Sequence, residues 1–279
     1  MNSKTAGSHG SNEVMGFAHE LADIADGILL SQFGTSSSTG QKESGEIVTR
    51  TDQELHDALT RAIGARYCLH HILSEESESH DRESVNFSGD VWVIDPLDGT
   101  ANFARGHDAF ASSIAFARGG VLQCAVVTAP QRKERFSALK GQGAFLNGER
   151  IQVSGAKDLR QAVIATGFPQ VRPSSSLERL TSDLKVVLGA AYDIRRSGSP
   201  CLDLCCVACG RVDGFYEALT PWDFAAGILI SEEAGAATSG EVGGSVRING
   251  PDKQKVIAAT PGIFQVLQRT LTENAFSGS

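Results

Sequence analysis

The chain has 279 residues, 41% of them hydrophobic, and a formal net charge of -8. That is enough apolar material for one large core or two modest ones. The acidic balance, with no run of Lys or Arg, argues against a nucleic-acid partner. No stretch approaches the roughly 18 uninterrupted apolar residues of a membrane span, and the opening MNSKTAGSHGSNE lacks the apolar centre of a secretory signal. A soluble, cytoplasmic protein with no membrane contact is expected.

Residues 1–11 read as a disordered leader. Over 12–33 the apolar positions Met15, Phe17, Ala18, Leu21, Ile24, Ile28 and Leu29 recur at helical spacing and stop near Gly34. The Gly/Ser-rich GTSSSTGQKESGE that follows can bury little and reads as a mobile loop. In TRTDQELHDALTRAIGARY, Thr51 and Glu54 stand in capping-box relation, so a second helix is expected there. From 90 to 146 the texture changes to short β-rich runs (DVWVID, FASSIAFA, VLQCAVVTA, RFSALK), with ARGGVLQ as a hairpin connection. After 160, helices alternate with the strand-like AVIATGF, GRVDGFYE and KVIAAT. The expectation is a layered α+β protein in one domain over 12–279, its halves at about 12–155 and 156–270.

Six cysteines are present, four of them in CLDLCCVACG. Cys201, Cys205 and Cys209 fall at i, i+4 and i+8, which suits the buried side of a helix with Leu202 and Val207. A lone Cys206-x-x-Cys209 is a weak zinc signal, and free Cys packs as a small hydrophobe. The cluster is read as core, and a disulfide scaffold is not expected.

The chemistry concentrates in WVIDPLDGTANF, residues 92–103. VWVI is apolar throughout, as a strand buried on both faces would be, and it delivers Asp95 at its carboxyl end. Pro96 is expected to stop the strand, and Asp98 to stand at the N-cap of a short helix beginning near Gly99-Thr100. A helix start beside two carboxylates suits a phosphate next to a cation. Asp-Gly is also an ordinary turn signal. Two further segments strengthen the functional reading: ILSEESE, with Glu75 and Glu76, and TPWDFAAG, with Asp223 in the first turn of an apolar helix after Pro221.

LSEES, WVIDPLDGTANFARG and PWDFAAG, in this order and spacing, resemble the inositol monophosphatase family of metal-dependent, lithium-sensitive phosphatases. IVTRTDQE, GAFLNGERI, ATGF and RRSGSPCLDLCCVACGRVDGFYE also match, and the resemblance spans nearly all of residues 12–262. It implies the layered α/β/α/β/α sandwich shared with fructose-1,6-bisphosphatase. It also implies a cytoplasmic homodimer that hydrolyses a small phosphate monoester, most readily myo-inositol monophosphate. By the resemblance, two to three Mg²⁺ ions are bound: the first by Glu75, Asp95 and the backbone carbonyl of Leu97, the second by Asp95, Asp98 and Asp223. Asp52 and Glu75 lie near a third ion, and the Thr100 hydroxyl orients the attacking water. Gly99, Thr100 and Ala101 face the phosphate, while Ser199, Glu217 and Asp223 face the ring hydroxyls, with Arg195-Arg196 able to close the site.

An all-oxygen donor set suits a hard ion such as Mg²⁺, whereas zinc would recruit His or Cys. Some positions depart from the family's pattern. Glu217 and Asp223 are six apart, one fewer than in inositol-specific members, Pro200 follows Gly-Ser, Glu46 replaces an Asp, and the mobile-loop lysine, taken as Lys42, is not firmly aligned. Histidinol phosphate is therefore the second substrate expectation, ahead of bisphosphates, for which no extra basic cluster is present. DPLDGT also approaches the Asp-x-Asp-Gly-Thr of haloacid-dehalogenase phosphatases, but two residues separate its aspartates here instead of one. Regulation through the transcription machinery, which some bacterial relatives perform, and a purely structural role for the acidic motifs complete the alternatives.

Overall fold

Helix α1 (Ala6–Gln32) carries Val14, Phe17, Ala18, Leu21, Ala22, Ala25 and Leu29 on its buried side. It begins earlier than the start expected near residue 12. The structure is a computed structural model and describes residues 6–35, 39–41, 47–169, 174–239 and 248–276. Where a loop without regular structure is expected, β1 (Thr39–Gln41) and β2 (Ile47–Thr49) pair antiparallel. Lys42 and Glu46 lie outside the described residues.

Helix α2 (Arg50–Arg66) has its cap two residues before the expected one at Thr51. Thr49 is its N-cap, and Asp52 Oδ2 accepts both the Thr49 N–H at 2.7 Å and its hydroxyl at 2.5 Å. Thr51 and Glu54 do different work. The Thr51 hydroxyl donates to Gln32 Oε1 at 2.6 Å, and Gln32 Nε2 donates to Glu54 at 2.8 Å, tying α2 to the end of α1.

The chain continues through β3 (His71–Ser74), α3 (Ser79–Glu83), β4 (Asp90–Asp98), α4 (Thr100–Ala104), β5 (Ala111–Arg118), β6 (Val121–Ala129), β7 (Glu134–Leu139), β8 (Gly143–Leu146) and β9 (Glu149–Ile151). These seven strands form one sheet in chain order, parallel only between β3 and β4. The expected hairpin joins β5 to β6 through Gly119 and Gly120, both at positive φ, as a tight turn of this hand needs. There follow β10 (Val163–Thr166), α5 (Ser174–Ala190), β11 (Asp193–Arg195), α6 (Pro200–Ala208), β12 (Gly214–Leu219), α7 (Pro221–Glu233), β13 (Ala237–Ser239), β14 (Gln254–Ala259) and α8 (Pro261–Phe276). The second sheet runs β11-β10-β12-β14-β13.

Side-chain alternation decides the layering. On β4, Trp92 and Ile94 pack with α1 and α2, where Phe17 meets Trp92 edge to face at 5.5 Å. Val91 and Val93 point the other way, into a core shared with α6 and α7. That core continues onto Ala165, Phe215, Val256 and Ala258 of the second sheet, whose opposite face packs under α5 and α8 through Ile164, Ile257, Val187 and Leu267. The order is therefore α1/α2, sheet, α6/α7, sheet, α5/α8, the five-layer sandwich expected.

Helix α7 is apolar on every side because it lies between two sheets. A Cβ on Gly227 would meet Leu204 Cβ of α6 at 2.7 Å, so the two central helices touch where neither has room for more. All six cysteines are free thiols. Cys201 and Cys205 are fully buried in α6, Cys206 and Cys209 half-buried, and Cys68 exposed, so the cluster is packing material. Among the described residues no helix is long and apolar enough to cross a membrane.

Candidate functional site

Strand β4 carries its carboxylates further than expected. Pro96 does not end the strand; it occupies an irregularity between Asp95 and Asp98, after which Asp98 pairs with Ala111. Nor does Asp98 cap α4. Gly99 takes that place with φ +87°, and a Cβ there would sit 2.7 Å from the Ala109 carbonyl oxygen, so no other residue fits. The Asp98 carboxylate instead faces α6. Its Oδ2 accepts the Ser199 hydroxyl at 2.7 Å and the Cys201 N–H at 2.8 Å, at a helix start that favours negative charge. Pro200 occupies the first position of α6, where a missing N–H costs nothing.

Three chain segments bring the other carboxylates to the same place. Glu75 follows β3, its N–H donating to the Ile94 carbonyl at 3.3 Å, so it lies beside the end of β4. Asp223 is the third residue of α7 and closes a capping box, accepting the Thr220 N–H at 2.9 Å and its hydroxyl at 2.5 Å through Oδ2. Oxygen atoms of Glu75, Asp95 and Asp223 lie within 4.8 Å of one another. The cleft above them has a volume of about 150 Å³ and is lined also by Leu97, Asp98, Gly99, Thr100 and Ala101, and by Ser199, Asp203 and Glu217.

Asp52 does not line this cleft. It lies behind Thr100, only 2% exposed, its Oδ1 accepting the Thr100 hydroxyl at 2.9 Å. The same hydroxyl is 3.0 Å from the Leu97 carbonyl oxygen. Ser199 lines the cleft, but its hydroxyl is given to Asp98. Glu217 reaches in from β12 with Oε2 buried and without a hydrogen-bond partner among the described residues. A Cβ on Gly167 would meet that oxygen at 2.1 Å, which explains the glycine of ATGF. Of the paired arginines, Arg196 lines the cleft and Arg195 is turned to an ion pair with Asp193.

The electrostatics are those of acids crowded together. Burial first, then Glu75, Asp98 and Asp223, push the Asp95 carboxyl well above the usual range. Burial raises Asp98 to about 6 against the hydrogen bonds from Cys201 and Ser199, and raises Asp223 to about 7 with Glu75 adding to it. Glu217 is held well above its ordinary value by burial and then by Asp223. A crowded set of carboxylate oxygens, in which Asp95, Asp98 and Asp223 are all pushed up and no His or Cys takes part, fits a hard divalent cation.

Comparison with known proteins agrees with this geometry. The model of the inositol monophosphatase family matches residues 11–275. The chain belongs to that family. Relatives within it include the Nus factor SuhB of Vibrio cholerae, 41% identical over 246 residues, which are 86% of this chain and 87% of that one. Among solved structures, the extragenic suppressor protein suhB of Bartonella henselae superposes with a TM-score of 0.81 at 33% identity, covering 93% of this chain and 98% of that one. The Thermotoga maritima IMPase gives 0.83 at 28% identity, covering 96% and 100%. The family's two mixed sheets and flanking helices are those described above.

Sequence reasoning missed Asp203 and Asn102 in the cleft wall. Asp203 carried a signal, as an acid inside the otherwise apolar PCLDLCCVA. Asn102 stands in WVIDPLDGTANF, but its part in bracing the carbonyls of Ala109 at 2.6 Å and of Ser197, 95 residues on, at 3.0 Å was not legible there.

Proposed function

We propose that the protein is a Mg²⁺-dependent phosphomonoesterase whose best substrate is myo-inositol monophosphate. The observation that carries this is the convergence of Glu75, Asp95 and Asp223 within 4.8 Å beside Asp98, under a cleft that also presents Gly99, Thr100 and Ala101. Glu75, Asp95 and the Leu97 carbonyl would hold one ion, Asp95, Asp98 and Asp223 a second, and Asp52 with Glu75 would flank a third. Bound Mg²⁺ supplies an acidified water and a partner for the leaving alkoxide.

The chain supplies the rest. Thr100 donates its proton toward Asp52, which leaves the hydroxyl oxygen as an acceptor that can orient water. Gly99, Thr100 and Ala101 line the cleft, and a phosphate bound there would accept from their backbone N–H groups. Glu217 offers an unpartnered buried oxygen to the hydroxyls of a polyol. Asp223 sits between ring and metal, and the Ser199 hydroxyl acts by holding Asp98. A homodimer belongs to the same reading, checked by sedimentation.

The test is phosphate release from inositol 1-phosphate, histidinol phosphate, fructose 1,6-bisphosphate and 3'-phosphoadenosine 5'-phosphate, with Mg²⁺ and with or without millimolar lithium. Lithium-sensitive preference for inositol 1-phosphate, abolished in Asp95→Asn and Asp223→Asn, is expected. Preference for histidinol phosphate would move the substrate and keep the chemistry, and no release from any of them would sink the reading. The relatives' designation as Nus factors supports a second reading, a Nus-factor role alongside hydrolysis. Complementation of a strain lacking its own SuhB by the Asp95→Asn variant would separate the two.

A further inference from the structure

Arg82 of α3 has no part in the proposed reaction, yet its side chain lies between two of the segments that carry the carboxylates. Its Nε donates to the Ser77 carbonyl at 2.8 Å, and its guanidinium carbon is 5.0 Å from the centroid of the Trp222 ring. That distance is a cation–π contact, for which Trp is the best aromatic partner. Among the described residues the guanidinium pairs with no carboxylate, so the carbonyl and the ring are what hold it.

Each of these contacts adjoins a carboxylate of the cluster. Ser77 closes the turn that leaves β3: its N–H donates to the Ser74 carbonyl at 3.3 Å, and Glu75 lies inside that turn with its own N–H on the Ile94 carbonyl. Trp222 is buried, its carbonyl accepts the Ser113 hydroxyl of β5 at 3.3 Å, and the next residue is Asp223. One end of the Arg82 side chain therefore holds the backbone behind Glu75, and its flat face holds the residue before Asp223. Oxygen atoms of these two carboxylates and of Asp95 stand within 4.8 Å of one another. Like charges at that spacing repel, and a tie between the segments behind them opposes their separation.

We infer that Arg82 is a positioning residue for the metal centre: by clasping the Ser77 carbonyl to the Trp222 ring, it holds Glu75 and Asp223 at ligand spacing before a cation arrives. The inference rests on the phosphatase reading. Partners beyond the ligands themselves commonly govern metal affinity by about 10- to 100-fold, and Arg82, acting through neighbouring residues on both sides, belongs at the lower end. The sign of the effect separates this role from plain electrostatics. Removing a positive charge near a Mg²⁺ site tightens Mg²⁺ by Coulomb's law alone, whereas removing a clasp loosens it. Lys keeps the charge and can lie over the ring, but it lacks the planar fork that meets carbonyl and ring at once.

The experiment is calorimetric titration of the full chain with MgCl₂, with the melting temperature of the metal-free protein measured beside it. Arg82→Ala is expected to weaken Mg²⁺ binding about tenfold and Arg82→Lys to recover part of that loss, while the metal-free melting temperature follows neither change. In a Trp222→Leu background Arg82→Ala costs less than in wild type, because the clasp has already lost its far side. In phosphate release the half-saturating Mg²⁺ concentration rises by the same factor, and the KM for inositol 1-phosphate at saturating Mg²⁺ stays unchanged. Equal or tighter Mg²⁺ binding in Arg82→Ala overturns the inference, as does a loss that follows the metal-free melting temperature or one that is undiminished on Trp222→Leu. Should Trp222→Leu not fold, Trp222→Phe takes its place, its ring being the weaker partner. A wild-type protein that neither binds Mg²⁺ nor releases phosphate would bring down the phosphatase reading and this inference together; wild-type function with an indifferent Arg82→Ala would bring down only the latter.

Discussion

Removing divalent metal should make this protein's stability fall as pH rises through the range in which most proteins are most stable. Asp98 and Asp223 have folded-state pKa values of about 6 and about 7 against 3.8 for an ordinary Asp. Between about pH 4 and pH 7 the native state then binds more protons than the unfolded chain, so unfolding free energy declines with pH over that window. At 1.36 kcal/mol per unit, the two shifts correspond to about 3 and about 4 kcal/mol. They share causes, burial and each other's neighbours, and so do not add in full; a net loss of about 3 to 4 kcal/mol between pH 5 and pH 8 is the reasonable expectation. For a chain of this size that is about 6 to 15 °C in Tm. Mg²⁺ at a hundred times its Kd returns about 2.7 kcal/mol per ion, and competition with protons makes that return larger at pH 8 than at pH 5. Scanning calorimetry in chelator and in Mg²⁺ at both pH values measures all four terms. A Mg²⁺ shift that is absent, or the same at both pH values, would refute the claim that these carboxylates form one cation-requiring cluster. Asp98→Asn provides the internal check, being more stable than wild type in chelator at pH 8 and gaining less from Mg²⁺.

Gly167→Ala would place a methyl 2.1 Å from the Glu217 carboxylate oxygen, and should raise the KM for inositol 1-phosphate about tenfold, about 1.4 kcal/mol, while calorimetry finds Mg²⁺ affinity unchanged. Gly227→Ala meets Leu204 Cβ at 2.7 Å between the central helices; urea unfolding should show about 1 to 3 kcal/mol lost to overpacking. Thr49→Ala removes the cap of α2 and one donor to Asp52, costing about 1 to 2 kcal/mol in the same assay, together with a lower kcat because Asp52 no longer holds Thr100 in one orientation.

Local patterns in the sequence carried much of this arrangement. The apolar VWVI run announced a strand buried on both faces, and Pro221 with Asp223 announced the start of α7. The cap of α2 was misplaced because Thr49-x-x-Asp52 and Thr51-x-x-Glu54 overlap. Only the packing of Thr51 and Glu54 against Gln32 decides between them. Pro96 signals a strand end in isolation; here the strand absorbs it as an irregularity because Asp98 resumes pairing with Ala111. The donors to Asp98 were illegible for a different reason. Cys201 is 103 residues away, and no periodicity or spacing links the two segments before the sheets and α6 are in place.

That separation bears on the order in which the molecule forms. Glu75, Asp95 and Asp98 sit on a sheet built mostly of neighbouring hairpins, whose contacts are short-range and can close early. Asp223 and the donors from α6 arrive only when the two central helices dock between the sheets, a step that waits on contacts such as Cys201 to Asp98, 103 residues apart. A nascent chain ending before α7 lacks Asp223 and the helix start that carries it, so cation uptake can serve as the signal that the last layers have closed. Folding followed by intrinsic fluorescence and by metal uptake should accordingly give two times, with the metal always the later.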